Sequence, residues 1–234
     1  MRVKAATFDI GGVLYSDDAF KRAIFSALNQ LTTVSQESFD QIYLAHLKSQ
    51  SGSLRSKLCE AFLGSLDKKS ELMAIANKEW LFNDNDQYQD GKDCLIKLKQ
   101  AGLKIGIIAN QPKAAADRLK KDNLFELIDF LGISAIVGFE KPDPAFFKLA
   151  IKELDLPADQ IIHIGNRMDT DVNPAKALGM KTVWVRRGEA NPDPSPSDLA
   201  AADITVSDLK SLPELITSLW AKNSKYSQEM QLEN

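Results

Sequence analysis

From residue 103 onward, short apolar runs alternate with stretches of helical periodicity, and this alternation constrains the fold more than any other feature of the chain. Residues 103–109, 161–164, 182–185 and 204–206 form the apolar runs. Between them Phe147, Ala150, Ile151 and Leu154 recur at helical spacing, and Pro112 suits the first turn of another helix. Strands that are apolar throughout must be buried on both faces, which favours parallel strands covered by helices on either side. The expected fold is therefore α/β, a doubly wound parallel, Rossmann-like sheet.

The first strand stands apart from the others. Residues 3–10 are an apolar run that meets an acid, Asp9, and then the turn pair Gly11-Gly12. Residues 19–82 then change period: Phe20, Ala23, Ile24, Ala27 and Leu28 are followed at helical spacing by Phe39, Ile42, Tyr43 and Leu47, by Leu54, Leu58 and Phe62, and by Leu72, Ile75, Ala76 and Trp80. This predicts about four amphipathic helices and no strand. The expected division is an α/β core of residues 1–15 and 90–234, with an all-helical cap of residues 16–89 inserted into it.

Composition narrows the partners. Twenty-nine Lys and Arg against 32 Asp and Glu give a net charge of −3 with no block of like charge, which argues against nucleic acid and anionic membranes. No apolar run approaches the roughly 18 to 20 residues that span a bilayer. Cys59 and Cys94 cannot make a disulfide framework, and Asp9 comes too early for a signal-peptide apolar region, so a reducing cytoplasm is expected. Residues 191–196 predict an exposed loop, and 222–234 a polar tail.

In an open parallel sheet the ligand crevice lies outside the carboxyl ends of the strands. Four places meet that condition: Asp9; Ala109-Asn110; Lys141-Pro142-Asp143-Pro144; and Gly165-Asn166-Arg167-Met168-Asp169-Thr170-Asp171. Asp9, Lys141 and Asp171 are expected to converge within about 10 Å, as one catalytic site requires. Nucleotide fingerprints, the HExxH pattern and paired CxxC motifs are absent. Of the two histidines, His163 lies within a strand and reads as a hydrogen-bonded core residue, and His46 lies on a helix face with no evident role.

These segments resemble the haloacid dehalogenase superfamily, in order and in strand context. The first motif, a strand ending in DxDG[TV], reads Phe8-Asp9-Ile10-Gly11-Gly12-Val13. The second, normally Ser or Thr after a strand, reads Ile108-Ala109-Asn110. The third is the KPDP sequence at Lys141, and the fourth is Gly165-Asn166 through Asp171, followed by Ala175-Lys176-Ala177-Leu178-Gly179-Met180. The resemblance implies a phosphatase-like hydrolase with Asp9 as nucleophile, forming an aspartyl-phosphate, and Lys141 balancing charge beside it. It implies Mg²⁺ on Asp9, the Gly11 carbonyl, Asn166 and Asp171, with Asp169 a further candidate. Asn110 and Arg167 are the implied contacts to a small phosphorylated substrate, Arg167 having an exposed surface role as its alternative.

Three positions depart from the family pattern. Gly11 stands where an Asp normally protonates the leaving group, with Asp17, Asp18 and Tyr15 as nearby substitutes. Ala109 lacks the hydroxyl donor, and Asn166 brings no charge, so weak Mg²⁺ binding and attenuated turnover are implied. Tyr43, Lys48 and Arg55 of the cap have solvated or packing roles as their expected state, with substrate contact as the alternative. The leading function is phosphoric monoester hydrolysis by a monomer or homodimer. A non-catalytic binding or regulatory protein on the same fold is the alternative, and carbon–halogen cleavage a third, weakened by the absent Ser and by an early cap offering only Arg22.

Overall fold

The computed structural model describes residues 2–221 and contains one sheet of six parallel strands. They are β1 (Ala5–Phe8), β2 (Lys104–Ala109), β3 (Phe130–Ile133), β4 (Ile161–Gly165), β5 (Lys181–Val185) and β6 (Ile204–Val206), in the order β3-β2-β1-β4-β5-β6. The order reverses beside β1, which pairs with β2 on one side and β4 on the other. Whatever follows these three strands therefore meets at a topological switch point. The predicted tail, 222–234, lies outside the described residues.

Between β1 and α5 (Gln89–Gln100), the helix that leads into β2, lie α1 (Asp18–Leu31), α2 (Gln36–Ser49), α3 (Leu54–Leu58), which runs on into one π-helical turn, and α4 (Lys69–Glu79). Their apolar faces bury one another in a cluster of their own, including Ile24, Leu28, Phe39, Leu58 and Leu72. In α1 the buried positions Phe20, Ala23, Ile24, Ala27 and Leu28 fall three or four apart, forming one stripe.

The remaining helices are α5 (Gln89–Gln100), α6 (Ala114–Lys121), α7 (Ser134–Val137), α8 (Pro144–Leu154), α9 (Asn173–Ala177), α10 (Pro196–Ala201) and α11 (Leu212–Ala221). Alternate residues of each strand point to opposite faces of the sheet. Ala6, Phe8, Ile105 and Ile107 pack with Leu95, Leu98 and Leu119 of α5 and α6 and with Leu212 and Ile216 of α11. Ala5, Ile108 and Ile161 pack on the other face with Phe146, Phe147 and Ala150 of α8 and Ala175 of α9.

Two elements are not evident from the apolar pattern. Strand β3 is four residues, Phe-Leu-Gly-Ile, at the sheet edge; its length and its glycine give neither alternation nor a long apolar run. Helix α5 begins inside the polar stretch 83–93 because its buried stripe, Gly91, Cys94, Leu95 and Leu98, sits behind a charged first turn.

Candidate active site

Asp9 is the first residue after β1, and its main-chain N–H continues the ladder to Ile164 at 2.9 Å. Its side chain is pinned at one oxygen only. Oδ1 accepts from the Ile10 N–H at 2.7 Å and lies 3.0 Å from Lys141 Nζ. Oδ2 has no hydrogen-bond partner among the described residues, and Asp9 lines a crevice of about 520 Å³. Burial pushes the Asp9 carboxyl up to about 6, against the pull of Lys141.

Lys141 sits just ahead of α8, which Asp143 caps and Pro144 starts. Its buried ammonium also lies 2.6 Å from Asp171 Oδ1. Asp9, Lys141 and Asp171 thus form one ion chain. Asp171, implied as a metal ligand, has both oxygens spent inside the protein: Oδ1 on Lys141 and on His163 Nε2 at 3.3 Å, Oδ2 on the Arg167 N–H at 3.0 Å. It is fully buried and holds Lys141 in place rather than facing the crevice. Burial works against its charge, yet Lys141 and His163 overcome this and hold it well below the ordinary range.

His163 is the core histidine the sequence suggests, with a specific partner. A neutral ring that donates from Nε2 to Asp171 must accept at Nδ1, here from Thr7 Oγ1 at 3.0 Å. Burial lowers its proton affinity, which keeps it neutral.

Asn110 and Arg167, implied as substrate contacts, are likewise spent internally. Asn110 donates to the Lys141 carbonyl at 2.9 Å and accepts from the Lys141 N–H at 2.8 Å, so it positions the lysine. Arg167 is buried, which corrects the exposed alternative: it makes a two-pronged bond to Asp169 at 3.0 and 2.9 Å, approaches Glu189 at 3.6 Å and donates to His46 Nε2 at 2.7 Å. His46, given no role by its sequence position, therefore keeps its proton on Nδ1, which is buried without a partner. Burial and the Arg167 charge push its pKa down to about 3. Removing a guanidinium from such a cluster leaves buried charges unpaired. Arg167→Met is expected to cost about 2–4 kcal/mol and to lower the melting temperature by about 6–12 °C, checked by calorimetric unfolding.

Asp17 is the residue whose place the sequence left most open. It precedes α1 as the N-cap, where aspartate is favoured, yet makes no side-chain cap. Its carboxylate turns into the crevice, where Oδ2 accepts from the Glu189 N–H at 2.7 Å and from Asn166 Nδ2 at 3.1 Å. A Cβ at Gly11 would collide with Asp17 Oδ1, so the carboxyl missing from position 11 is replaced in space by that of Asp17. Gly12, at φ +64°, gives the room that Asn166 needs. Burial, with Glu189 and Asp9 nearby, holds the Asp17 carboxyl well above its ordinary range.

The arrangement offers oxygens to a hard cation. Both hydrogen-bond partners of Asn166 Nδ2, Asp17 Oδ2 and the Arg187 carbonyl, are acceptors, which fixes the amide orientation, and Oδ1 has no donor among the described residues. Asp9 Oδ2, the Gly11 carbonyl and Asn166 Oδ1 thus remain free on residues that line one crevice. The set fits Mg²⁺ in donor type but carries one charge. Among the described residues no group of three His, Cys, Asp or Glu side chains could hold a metal. Arg22 does not line the crevice and pairs with Asp86 at 2.7 Å.

Tyr43 of α2 and Gln50 just after it reach across the crevice through polar contacts. Gln50 donates to the Glu189 carbonyl at 2.9 Å and accepts from the Met168 N–H at 2.9 Å, and the Tyr43 hydroxyl donates to Glu189 Oε1 at 3.1 Å. Lys48 is exposed. No helix among the described residues is long and apolar enough to cross a membrane.

The chain is similar to several known proteins. The chain is 27% identical over 230 residues to the glyceraldehyde 3-phosphate phosphatase of Methanocaldococcus jannaschii, covering 93% of this chain and 98% of that one. It is 24% identical over 237 residues to the ribulose-1,5-bisphosphate 5-phosphatase of Halopiger xanaduensis, covering 91% and 99%. A crystal structure of a predicted phosphoglycolate phosphatase from Haemophilus somnus shares the fold, with a TM-score of 0.74 at 18% identity over 92% and 98% of the two chains. The family model for haloacid dehalogenase-like hydrolases matches residues 3–179, a span that carries Asp9, Asp17, Lys141, Asn166 and Asp171. By that match the chain belongs to the haloacid dehalogenase-like hydrolases.

Proposed function

We propose that the protein is a phosphoric monoester hydrolase acting on a small phosphorylated molecule, with Asp9 as nucleophile. The observation that carries this reading is the asymmetry of Asp9: Oδ1 is held by Ile10 and Lys141, and Oδ2 is left unpartnered on the crevice wall. Oδ2 attacks phosphorus, the bond from phosphorus to the ester oxygen breaks, and the leaving oxygen takes a proton from Asp17. A water then gives its proton to Asp17 and attacks phosphorus, releasing phosphate and restoring the Asp9 carboxylate. Residues 16–89 act as the cap that excludes bulk water. The relatives' names support the same reaction class.

When bound, Mg²⁺ would supply charge neutralisation between the nucleophile and the phosphate, and the residues that would hold it are Asp9, Gly11 through its carbonyl and Asn166. Lys141, fixed by Asn110 and Asp171, contributes the permanent positive charge. With one charged ligand, Mg²⁺ is expected to bind with a dissociation constant on the order of 1 mM by calorimetry, tightening in Asn166→Asp. A micromolar constant for the natural chain would contradict this. The reading as a whole is tested by phosphate release from a panel of small phosphate esters with and without Mg²⁺. Flat results in both conditions would favour a binding protein on this fold.

A further inference from the structure

Four cationic side chains line the crevice: Lys141, Arg167, Arg55 and Lys69. The first two are neutralised by protein carboxylates, Lys141 by Asp9 and Asp171 and Arg167 by Asp169 and Glu189. Arg55 of α3 and Lys69 of α4 make no hydrogen bond or ion pair with any described residue. Other guanidinium groups withdrawn from water in this chain do find carboxylates: Arg118 pairs with Asp122 at 2.7 Å and Arg187 with Asp90 at 2.7 Å. Arg55 is half-buried, with its guanidinium 5.8 Å from the centre of the Phe20 ring. Burial lowers its proton affinity although Glu140 and Glu189 lie near enough to oppose this, and neither comes within ion-pair distance.

The same end of the crevice opens into an adjoining lobe of about 320 Å³, between α4 and the residues that follow β2 and β3. Arg55 and Lys69 line both spaces. So do Trp80 and Gln111, whose Nε1 donor and Oε1 acceptor are buried without a hydrogen-bond partner. A partly desolvated guanidinium with no carboxylate within ion-pair distance is incompletely compensated inside the protein. Its planar fork matches a carboxylate or phosphate that arrives from outside.

We propose that Arg55, assisted by Lys69, binds a second anionic group of the substrate, so that the preferred substrates are phosphate esters that also carry a carboxylate or another phosphate. This deepens the phosphatase reading and rests on it. The scissile phosphate sits at Asp9 and Lys141, and the second anion lies toward the lobe on the cap side. Closure of the cap then senses both ends of the molecule at once.

The test uses the full chain and two matched pairs of esters. The first pair is 3-phosphoglycerate and glycerol 3-phosphate, which differ by a carboxylate against a hydroxymethyl group; the second is ribulose 1,5-bisphosphate and ribulose 5-phosphate. In at least one pair the anion-bearing member is expected to have a kcat/KM at least about 10-fold higher, carried by KM. Arg55→Gln is expected to collapse that ratio toward unity, a loss of about 10- to 100-fold on the favoured member, and Arg55→Lys to restore part of it. The pair that responds tells carboxylate from phosphate. A natural chain with no preference in either pair, or an Arg55→Gln chain that keeps the preference, overturns the proposal.

p-Nitrophenyl phosphate, which has no second anion, reports the hydrolase reading separately. Should no ester be hydrolysed, that reading fails. The Arg55 site is then decided by calorimetry with 3-phosphoglycerate and ribulose 1,5-bisphosphate, where Arg55→Gln must weaken binding of at least one by about 10-fold or more. Equal affinities of the natural and Arg55→Gln chains for both overturn it.

Discussion

Asp9→Asn is expected to abolish ester hydrolysis, lowering kcat by at least about 10⁴-fold. The amide that replaces the carboxylate is a poor nucleophile for phosphorus, and it removes one of the two negative charges that meet Lys141. The other, Asp171, stays 2.6 Å from the ammonium, so the variant retains a buried ion pair and should fold. Phosphate release gives the rate. Mass spectrometry of acid-quenched protein shows whether the phosphoryl group is carried on Asp9. Residual activity above about one hundredth of the natural rate would take the transfer step away from Asp9.

Asp17→Asn should lower kcat by about 10²- to 10⁴-fold for alkyl phosphates, whose leaving alkoxide needs a proton. The loss should be much smaller for p-nitrophenyl phosphate, whose phenolate leaves without one. Equal losses on both esters would assign Asp17 to holding Asn166 and the Glu189 N–H instead. Space provides a second test. Gly11→Asp alone should be inactive or destabilised, because its Cβ collides with the Asp17 carboxylate. Gly11→Asp combined with Asp17→Ala should recover at least about 10-fold over Asp17→Ala alone, since the carboxyl is then supplied from the vacated position.

Much of the fold was legible from local pattern, because burial on both faces makes parallel strands apolar throughout and helices bury one stripe. The strands flanking β1 and the helical block after it follow from these two periods. Strand β3 does not, since its place at an edge is set by pairing with β2 across 20 or so intervening residues and not by its own sequence. Asp9 and Lys141 were legible for another reason: residues at strand ends and loops before helices are placed by the backbone, whatever surrounds them.

What sequence alone determined, then, is which chemical groups are delivered to the carboxyl edge of the sheet: a carboxylate after β1, an amide after β2, a lysine before α8 and acids after β4. What each group does there was decided by tertiary contacts, because a side chain has few donors and acceptors and a neighbour distant in sequence can consume them. Asn110 is spent on the Lys141 backbone, Asp171 on Lys141 and His163, and Arg167 on Asp169, Glu189 and His46. The same competition, resolved the other way, leaves Asp9 Oδ2 open, turns the Asp17 carboxylate from its helix into the crevice and leaves Arg55 without a partner. No local signal marks these outcomes, since each depends on residues distant in sequence that are brought together only when the chain has folded.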